Sequence, residues 1–464
     1  MSTSKPRRAT RQPGSSLAAC DVWRFGRHIA RLHREGDFKH VLTYAADAGA
    51  DEFVSLTMPV QGNPWEWPEL HPFFRMNLPE GDQLGMLKEA FGPRLDGTDL
   101  TLLGLVGANG IGRIQVVPEG QSPTDSPEDF DLGHVLKGDN RESAFRDLLR
   151  QHLRSGVSGV MPKLLSPGQA PGSEDAEFRK ASFVTPRAII KGSSARLPHL
   201  ALNEHLTMEV ARRSGMPAAR TLVSEDGLAL VVERFDTDAQ GHPVSGVEDF
   251  CSLLAMRPAE KYDTTWERIA QSLRSYVPAA QRAKQLETLL QIVVLNYVVR
   301  NADCHSKNVA LIYGDAGDVR LAPVYDVVTT VAYTGFRDSP PGLLLGGKKS
   351  WAPGSTLGRF AQSVCGVAPR KLKETVERVA EAALEVFPDV VRAMDAYPEF
   401  HEIGKRMLLA WEEGIRALTA GAKSDEAPQD RMRELVESNR FSPVEPEPKR
   451  GSPGRGVMVG PRAR

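Results

Sequence analysis

Cysteine is scarce in this chain. Among 464 residues there are four, Cys20, Cys251, Cys304 and Cys365, far apart and with no CxxC pair or metal-ligand spacing. That excludes a disulfide framework and points to a reducing cytoplasm. There is also no run of about 18 apolar residues, so no segment reads as a membrane-spanning helix. The start is Arg-rich with no apolar stretch after it, which is not the pattern of a secretory signal. Net charge is only −1, so the molecule as a whole is not an electrostatic nucleic-acid binder. Neither GxxxxGK[ST] nor GxGxxG occurs, so a nucleotide site cannot be read from one phosphate-loop signature.

What is present is an ordinary globular balance, 41% hydrophobic and 25% charged, at a length that predicts two or three domains with cores of their own. Residues 1–16 are basic (Lys5, Arg7, Arg8, Arg11) and 421–464 are polar and Pro-rich. Both read as disordered tails rather than nucleic-acid arms. Residues 17–120 read as a β-rich subdomain, with strands near 21–25, 39–44, 52–56 and 113–117. A loop at 64–68 carries two tryptophans, and a helical stretch runs to residue 90. Nothing there has catalytic spacing, and the expected role is that of an accessory module for protein contact.

The residues that carry chemistry come later. A helix at 141–153 runs into Ser155-Gly156-Val157-Ser158-Gly159-Val160-Met161-Pro162-Lys163. Its small residues let backbone approach a phosphate and its exit Lys adds a point charge, although a plain Gly-rich turn has the same composition. A strand at 183–191 ends in Lys191, as the strand-borne Lys of V-A-I-K does. The next helix, 197–214, holds Glu204 in its first half, where a Lys-clamping Glu stands in kinases; an exposed helix residue fits that spacing equally. Strands 221–223 and 228–233 flank Glu225-Asp226-Gly227, a hairpin signal. The second ends in Glu233-Arg234-Phe235-Asp236, the place of an adenine-binding hinge. Gly-loop, Lys, Glu, hairpin and hinge in that order predict a nucleotide-binding lobe over about 141–255.

Residues 256–420 predict a helical lobe, with helices near 247–255 (its lead-in), 265–276, 279–300, 357–364, 370–387 and 400–420. The third is apolar over a broad face and delivers Asn301-Ala302-Asp303-Cys304-His305-Ser306-Lys307-Asn308. Asp303 and Asn308 have the spacing of a kinase catalytic loop. Asp326 comes eighteen residues further on, after a hairpin at 309–312 and 319–321. Asp303 is placed as the base that takes a hydroxyl proton, though Asp is also a common turn residue. Asn308 and Asp326 offer oxygens that suit Mg²⁺. His305 has a supporting or nucleotide-contact role, Lys307 neutralises charge, and Cys304 is incidental. The Gly/Pro-rich stretch 334–355, with Lys348 and Lys349, reads as a long surface loop, or as an activation-like or substrate-contacting one.

These segments resemble the HipA family of serine/threonine kinases, the toxins of HipBA-type toxin–antitoxin systems. Residues 73–80 (Phe-Phe-Arg-Met-Asn-Leu-Pro-Glu) are similar to its FxNLLPE signature and 158–163 to its SGVQPK loop. Asn203-Glu204 resembles its NE helix, Glu233 to Asp236 its ERFD, and Glu248-Asp249 with Lys261-Tyr262 its ED…KY. Residues 301–308 resemble NxDxHxKN and 321–326 LAPxYD. The resemblance spans about 20–400. It implies an α+β, bilobal protein-kinase-like fold with an N-terminal β-rich subdomain and an all-α C-terminal lobe. It also implies an ATP- and Mg²⁺-dependent enzyme in which Asp303 is the base and Asn308 and Asp326 hold the metal. ATP would meet Ser158, Gly159, Val160, Met161, Pro162, Lys163, Lys191, Glu233, Arg234, Phe235, His305, Ser306, Lys307, Asn308, Tyr325 and Asp326. The implied partners are a HipB-like helix-turn-helix antitoxin, operator DNA through that antitoxin, and a protein substrate such as an aminoacyl-tRNA synthetase. Where many members have a further serine, this chain has Gly156, so loop autophosphorylation would use Ser158 or Ser155.

Overall fold

The computed structural model describes residues 17–36, 38–78, 98–123, 130–154, 161–162, 181–419 and 427–439. The first sheet is antiparallel, in the order β4-β3-β2-β1-β5, from β1 Ala19–Arg24, β2 Arg27–Glu35, β3 Lys39–Tyr44, β4 Trp65–Trp67 and β5 Ile114–Pro118. Phe25 and Gly26 both take positive φ, which gives the β1–β2 hairpin a turn that follows the strands' twist. Helix α1, Asp99–Val106, starts at Thr98, whose hydroxyl accepts the Thr101 N–H.

Two expectations for this subdomain change. Residues 65–67 form the edge strand β4, with Leu42 opposite Trp65, rather than a loop. Residues 52–56 are not a strand. Glu52 closes a short 3-10 turn by accepting the Gly49 N–H at 2.7 Å, and the Ser55 hydroxyl and Leu56 N–H are given to the buried Glu248. The expected helix reaching residue 90 lies outside the described residues.

The second sheet, order β6-β7-β8-β10-β9, comprises β6 Met161–Pro162, β7 Ala181–Val184, β8 Ala188–Gly192, β9 Thr221–Val223 and β10 Ala229–Glu233. The β9–β10 turn is held as the sequence predicts. Gly227 takes positive φ, and Asp226 Oδ1 accepts the Leu228 N–H at 3.0 Å. Helices α2, Glu142–Arg154, and α3, Leu200–Arg213, complete this lobe. Phe145, Phe183, Val184 and Ile190 belong to the same buried cluster as the first sheet's Val22, Leu32 and Val116. The N-terminal sheet and the second sheet therefore share one core.

The helical region contains α4 Trp266–Tyr276, α5 Arg282–Val298, α6 Pro369–Ala396, α7 His401–Thr419 and α8 Pro428–Ser438. Helices α3, α5, α6 and α7 bury Leu206, Leu289, Val293, Val379, Leu384, Met407 and Trp411 in a second cluster. This region also carries a small antiparallel sheet, β11 Gly246–Asp249, β12 Ala310–Tyr313 and β13 Arg320–Leu321. The helix expected over 247–255 is thus shortened: residues 247–249 are strand, and only Phe250–Leu253 is helical, capped by Asp249 through the Ser252 N–H. The disordered tail expected from 421 is corrected at α8. Pro428 opens it, and Met432 and Val436, one turn apart, are buried against the core. Residues 1–16 and 440–464 lie outside the described residues. Among the described residues no helix is long and apolar enough to cross a membrane.

A polar latch joins the first subdomain to the helical region. Glu248 accepts from Ser55 Oγ and Leu56 N at 2.7 Å each, and from the Tyr313 hydroxyl. Arg113, fully buried, donates to Phe53 O at 3.1 Å and to Gly314 O, and lies 4.4 Å above the Phe53 ring and 4.9 Å above that of Tyr313. Burial pushes the Glu248 carboxyl up to about 7, against the pull of the three donors. A carboxyl whose folded value is raised stabilises the fold below its ordinary value of 4.5 and loses that contribution as pH climbs to about 7. Glu248→Gln is therefore expected to flatten the fall in melting temperature over that window, removing up to about 3 kcal/mol of pH dependence. Parallel melting curves for wild type and variant across that range would refute the assignment.

Candidate active site

Lys191 sits on β8, and its ammonium lies 2.5 Å from Glu204 Oε1 on α3 and 2.8 Å from Asp326 Oδ1. All three side chains are at most 6% exposed. A lysine brought out of water in this way is retained because two carboxylates meet it. Asp326 is carried there by ties on both sides. Before it, Val324 exchanges backbone bonds with Pro217 and Ala219 at 2.8 and 2.9 Å. After it, the Asn203 side chain clamps Thr329 through both backbone groups at 3.1 and 2.8 Å. Asp326 itself takes φ +59°, a costly geometry for a non-glycine that the two clamps hold in place.

The catalytic-type loop is built from the end of α5. Arg300 is left-handed (φ +53°) and the Asn301 N–H returns to Asn296 O at 3.0 Å, a Schellman ending with Arg where Gly is usual. Arg300 is fixed by Glu413 on α7 at 2.9 Å and by the Trp351 ring. Asn301 Nδ2 donates to Asn296 Oδ1 at 2.9 Å, and Asn301 Oδ1 accepts the Asp303 N–H at 3.0 Å. Asn308 Nδ2 reaches Asp303 O at 3.2 Å and Asp326 O at 3.5 Å. The Asp303 carboxylate accepts the Tyr262 hydroxyl.

Asn308 fits a metal ligand on one observation. Its amide nitrogen faces two backbone carbonyls, while its Oδ1 is buried without a hydrogen-bond partner. An oxygen so placed, on a residue whose amide also reaches the Asp326 backbone, suits a hard divalent cation that takes its remaining oxygens from phosphates and water. Among the described residues no cluster of three or more His, Cys, Asp or Glu offers a self-sufficient metal cage.

Beside these groups lies a cleft. Its apolar walls are Ile189 and Val232 from the β-lobe, Phe235 and Val247 from the segment beyond it, and Met76 and Ile111 from the N-terminal subdomain. Lys191, Asp249, Lys307 and Tyr325 form its polar side. The subdomain predicted to be accessory therefore supplies part of the wall, which no local spacing in the sequence signals. Phe235 and Tyr325 stand with ring centroids 5.9 Å apart, and the Tyr325 hydroxyl holds Lys307 O at 2.7 Å.

Other expected contact residues have different neighbours. Glu233 and Arg234 line the cleft, but the Arg234 guanidinium turns to Asp236 at 2.6 Å, Gly110 O at 3.1 Å and Thr185 O at 3.3 Å. Although burial opposes ionisation of Asp236, the Arg234 charge and the Gly112 N–H hold its carboxyl below the usual range. That pair braces the hinge against the first subdomain. Ser306 gives its hydroxyl to Lys261 O at 2.9 Å, and His305 packs edge-on to the Tyr262 ring at 5.1 Å. Both are buried and neither is among the residues that line the cleft. Cys304 is buried and desolvation pushes its thiol up, which disfavours the reactive thiolate. Met161 and Pro162 pair with Val184 and Phe183 at the sheet edge. Ser158, Gly159, Val160 and Lys163 lie outside the described residues. The stretch 334–355 is not a free surface loop. Leu343 and Leu345 are buried, and Gly342 lies so close to the 301–308 loop that a Cβ would stand 2.2 Å from Cys304 O.

A strand-borne Lys paired with a helix Glu, above a helical region that presents Asp, Asn and a second Asp, defines a protein-kinase-like architecture. Residues 20–117 match the HipA N-terminal domain and residues 155–387 the HipA-like C-terminal domain. The chain belongs to the HipA family. Among its relatives is Y4mE of Sinorhizobium fredii, a protein named as a kinase, 29% identical over 81% of this chain and 93% of its own length. The serine/threonine-protein kinase toxin HipA of Shewanella oneidensis is 25% identical over 61% of this chain and 68% of its own. A solved structure of Shewanella oneidensis HipA, in complex with HipB and its operator DNA, shares the fold. It has a TM-score of 0.62 at 20% identity, over 90% of this chain and 99% of the other.

Proposed function

We propose that this chain is an ATP- and Mg²⁺-dependent serine/threonine protein kinase acting in the cytoplasm as the toxin of a toxin–antitoxin pair. The observation that carries the reading is that three segments meet beside one apolar-walled cleft: Lys191, which lines it, pairs with Asp326, and the loop bearing Asp303 and Asn308 is tied to Asp326 through the Asn308 amide. The cleft's Ile189, Val232, Phe235 and Ile111 suit a flat adenine, and Lys191 pairs with phosphate oxygens. Asn308 and Asp326 hold Mg²⁺, which when bound neutralises charge on the phosphates. Asp303 accepts the proton of the attacking hydroxyl.

The proposed acceptor is a serine of a translation protein such as an aminoacyl-tRNA synthetase. The proposed silencing partner is a HipB-like helix-turn-helix antitoxin, through which operator DNA is met; the HipA–HipB–DNA likeness supports that partner. The test is phosphoproteomics after brief induction of wild type and Asp303→Ala. The expected outcome is growth arrest and new phosphoserine on one translation protein in the wild type alone. Equal arrest by the variant would replace the kinase reading with one of pure binding.

A further inference from the structure

We infer that Tyr262 is a positioning residue for the base Asp303, an inference that rests on the kinase reading above. Its phenolic hydroxyl donates to Asp303 Oδ1. A carboxylate has two oxygens and rotates about its own bond, so a donor fixed on one oxygen sets the plane in which the other meets an acceptor hydroxyl.

The phenol is itself anchored at three points. The preceding carbonyl, Lys261 O, accepts both the Ser306 N–H at 3.1 Å and the Ser306 hydroxyl at 2.9 Å, so Tyr262 moves with the catalytic loop. Its ring meets the edge of His305 at 5.1 Å. Lys261 Nζ lies 5.3 Å and Lys349 Nζ 5.8 Å from the ring centroid, within reach of its π face. Asp263 is near enough to act electrostatically on Lys349. The ring is only half-buried, unlike Asp303. Tyr262 therefore reaches from the surface to the base and does not fill the core. Lys349 belongs to the 334–355 stretch packed on the catalytic loop, so an acceptor protein approaching that stretch meets Tyr262 before Asp303.

The test uses the full chain, with Mg·ATP as donor and both water and the chain itself as acceptors. Tyr262→Phe keeps the ring and removes the hydroxyl. The expected result is a roughly ten- to hundredfold fall in kcat with KM for ATP and melting temperature unchanged, the scale of a lost hydrogen bond that orients a charged group. In an Asp303→Ala background the same substitution is expected to change the residual rate by less than about twofold, because the two residues act as one unit. An unchanged kcat, or an equal loss in both backgrounds, with normal turnover by the wild type, overturns the positioning role and leaves the kinase reading standing. No turnover by the wild type overturns both.

Discussion

Asp303→Ala is expected to reduce phosphate transfer by roughly 10²- to 10⁴-fold, the range for removal of a positioned base. The fold should survive. What holds this loop together at Asp303 is its main chain: the N–H goes to Asn301 Oδ1 and the carbonyl receives Asn308 Nδ2. Alanine keeps both. The side chain's bond to Tyr262 is lost, but that phenol is half-buried and can turn to water. Urea unfolding should therefore show a change within about 1 kcal/mol. ATP binding, measured by calorimetry, should persist. A variant that unfolds would show that the side chain, and not only the main chain, holds the loop; one that transfers phosphate at the wild-type rate would remove Asp303 from the mechanism.

Lys191→Met should do the opposite on stability. It leaves Glu204 and Asp326, each with a side chain only 1% exposed, facing one another without the cation between them. Removing one partner of a buried ionic group costs about 3–5 kcal/mol, enough to lower the melting temperature by many degrees. Adding Glu204→Gln should restore much of the stability by relieving the uncompensated charge. Transfer should remain absent, since the lysine that pairs with the phosphate oxygens is gone. If the single variant is as stable as wild type, Lys191, Glu204 and Asp326 do not form a closed ionic unit.

Much of the architecture was legible because it is written locally. Lys191 at the end of an apolar strand, Glu204 in the adjoining helix, the Glu225-Asp226-Gly227 turn and the apolar face of α5 each arise from period and turn chemistry. The Asp303-to-Asn308 spacing survives into the structure because a Schellman ending makes it a rigid loop. The misreadings fell where a segment's partner is remote. Residues 52–56 have strand-like composition, yet Ser55 and Leu56 are claimed by Glu248 from nearly two hundred residues away. Residues 247–249 look helical when taken together with 250–255, but pair with β12. Arg234 sits in the hinge pattern and turns instead to Asp236 and Gly110.

The sequence by itself therefore determined which residues bear charge and oxygen, and the order of strand, helix and loop that carries them. It could do so because propensity, capping and spacing act over a few residues. The tertiary structure alone decided that Asp326 meets Lys191, that Met76 and Ile111 wall a cleft begun in another subdomain, and that Tyr262 reaches Asp303. Those are contacts between segments tens to hundreds of residues apart. They depend on how a shared core and two buried polar clusters bring the elements together, which no local pattern encodes.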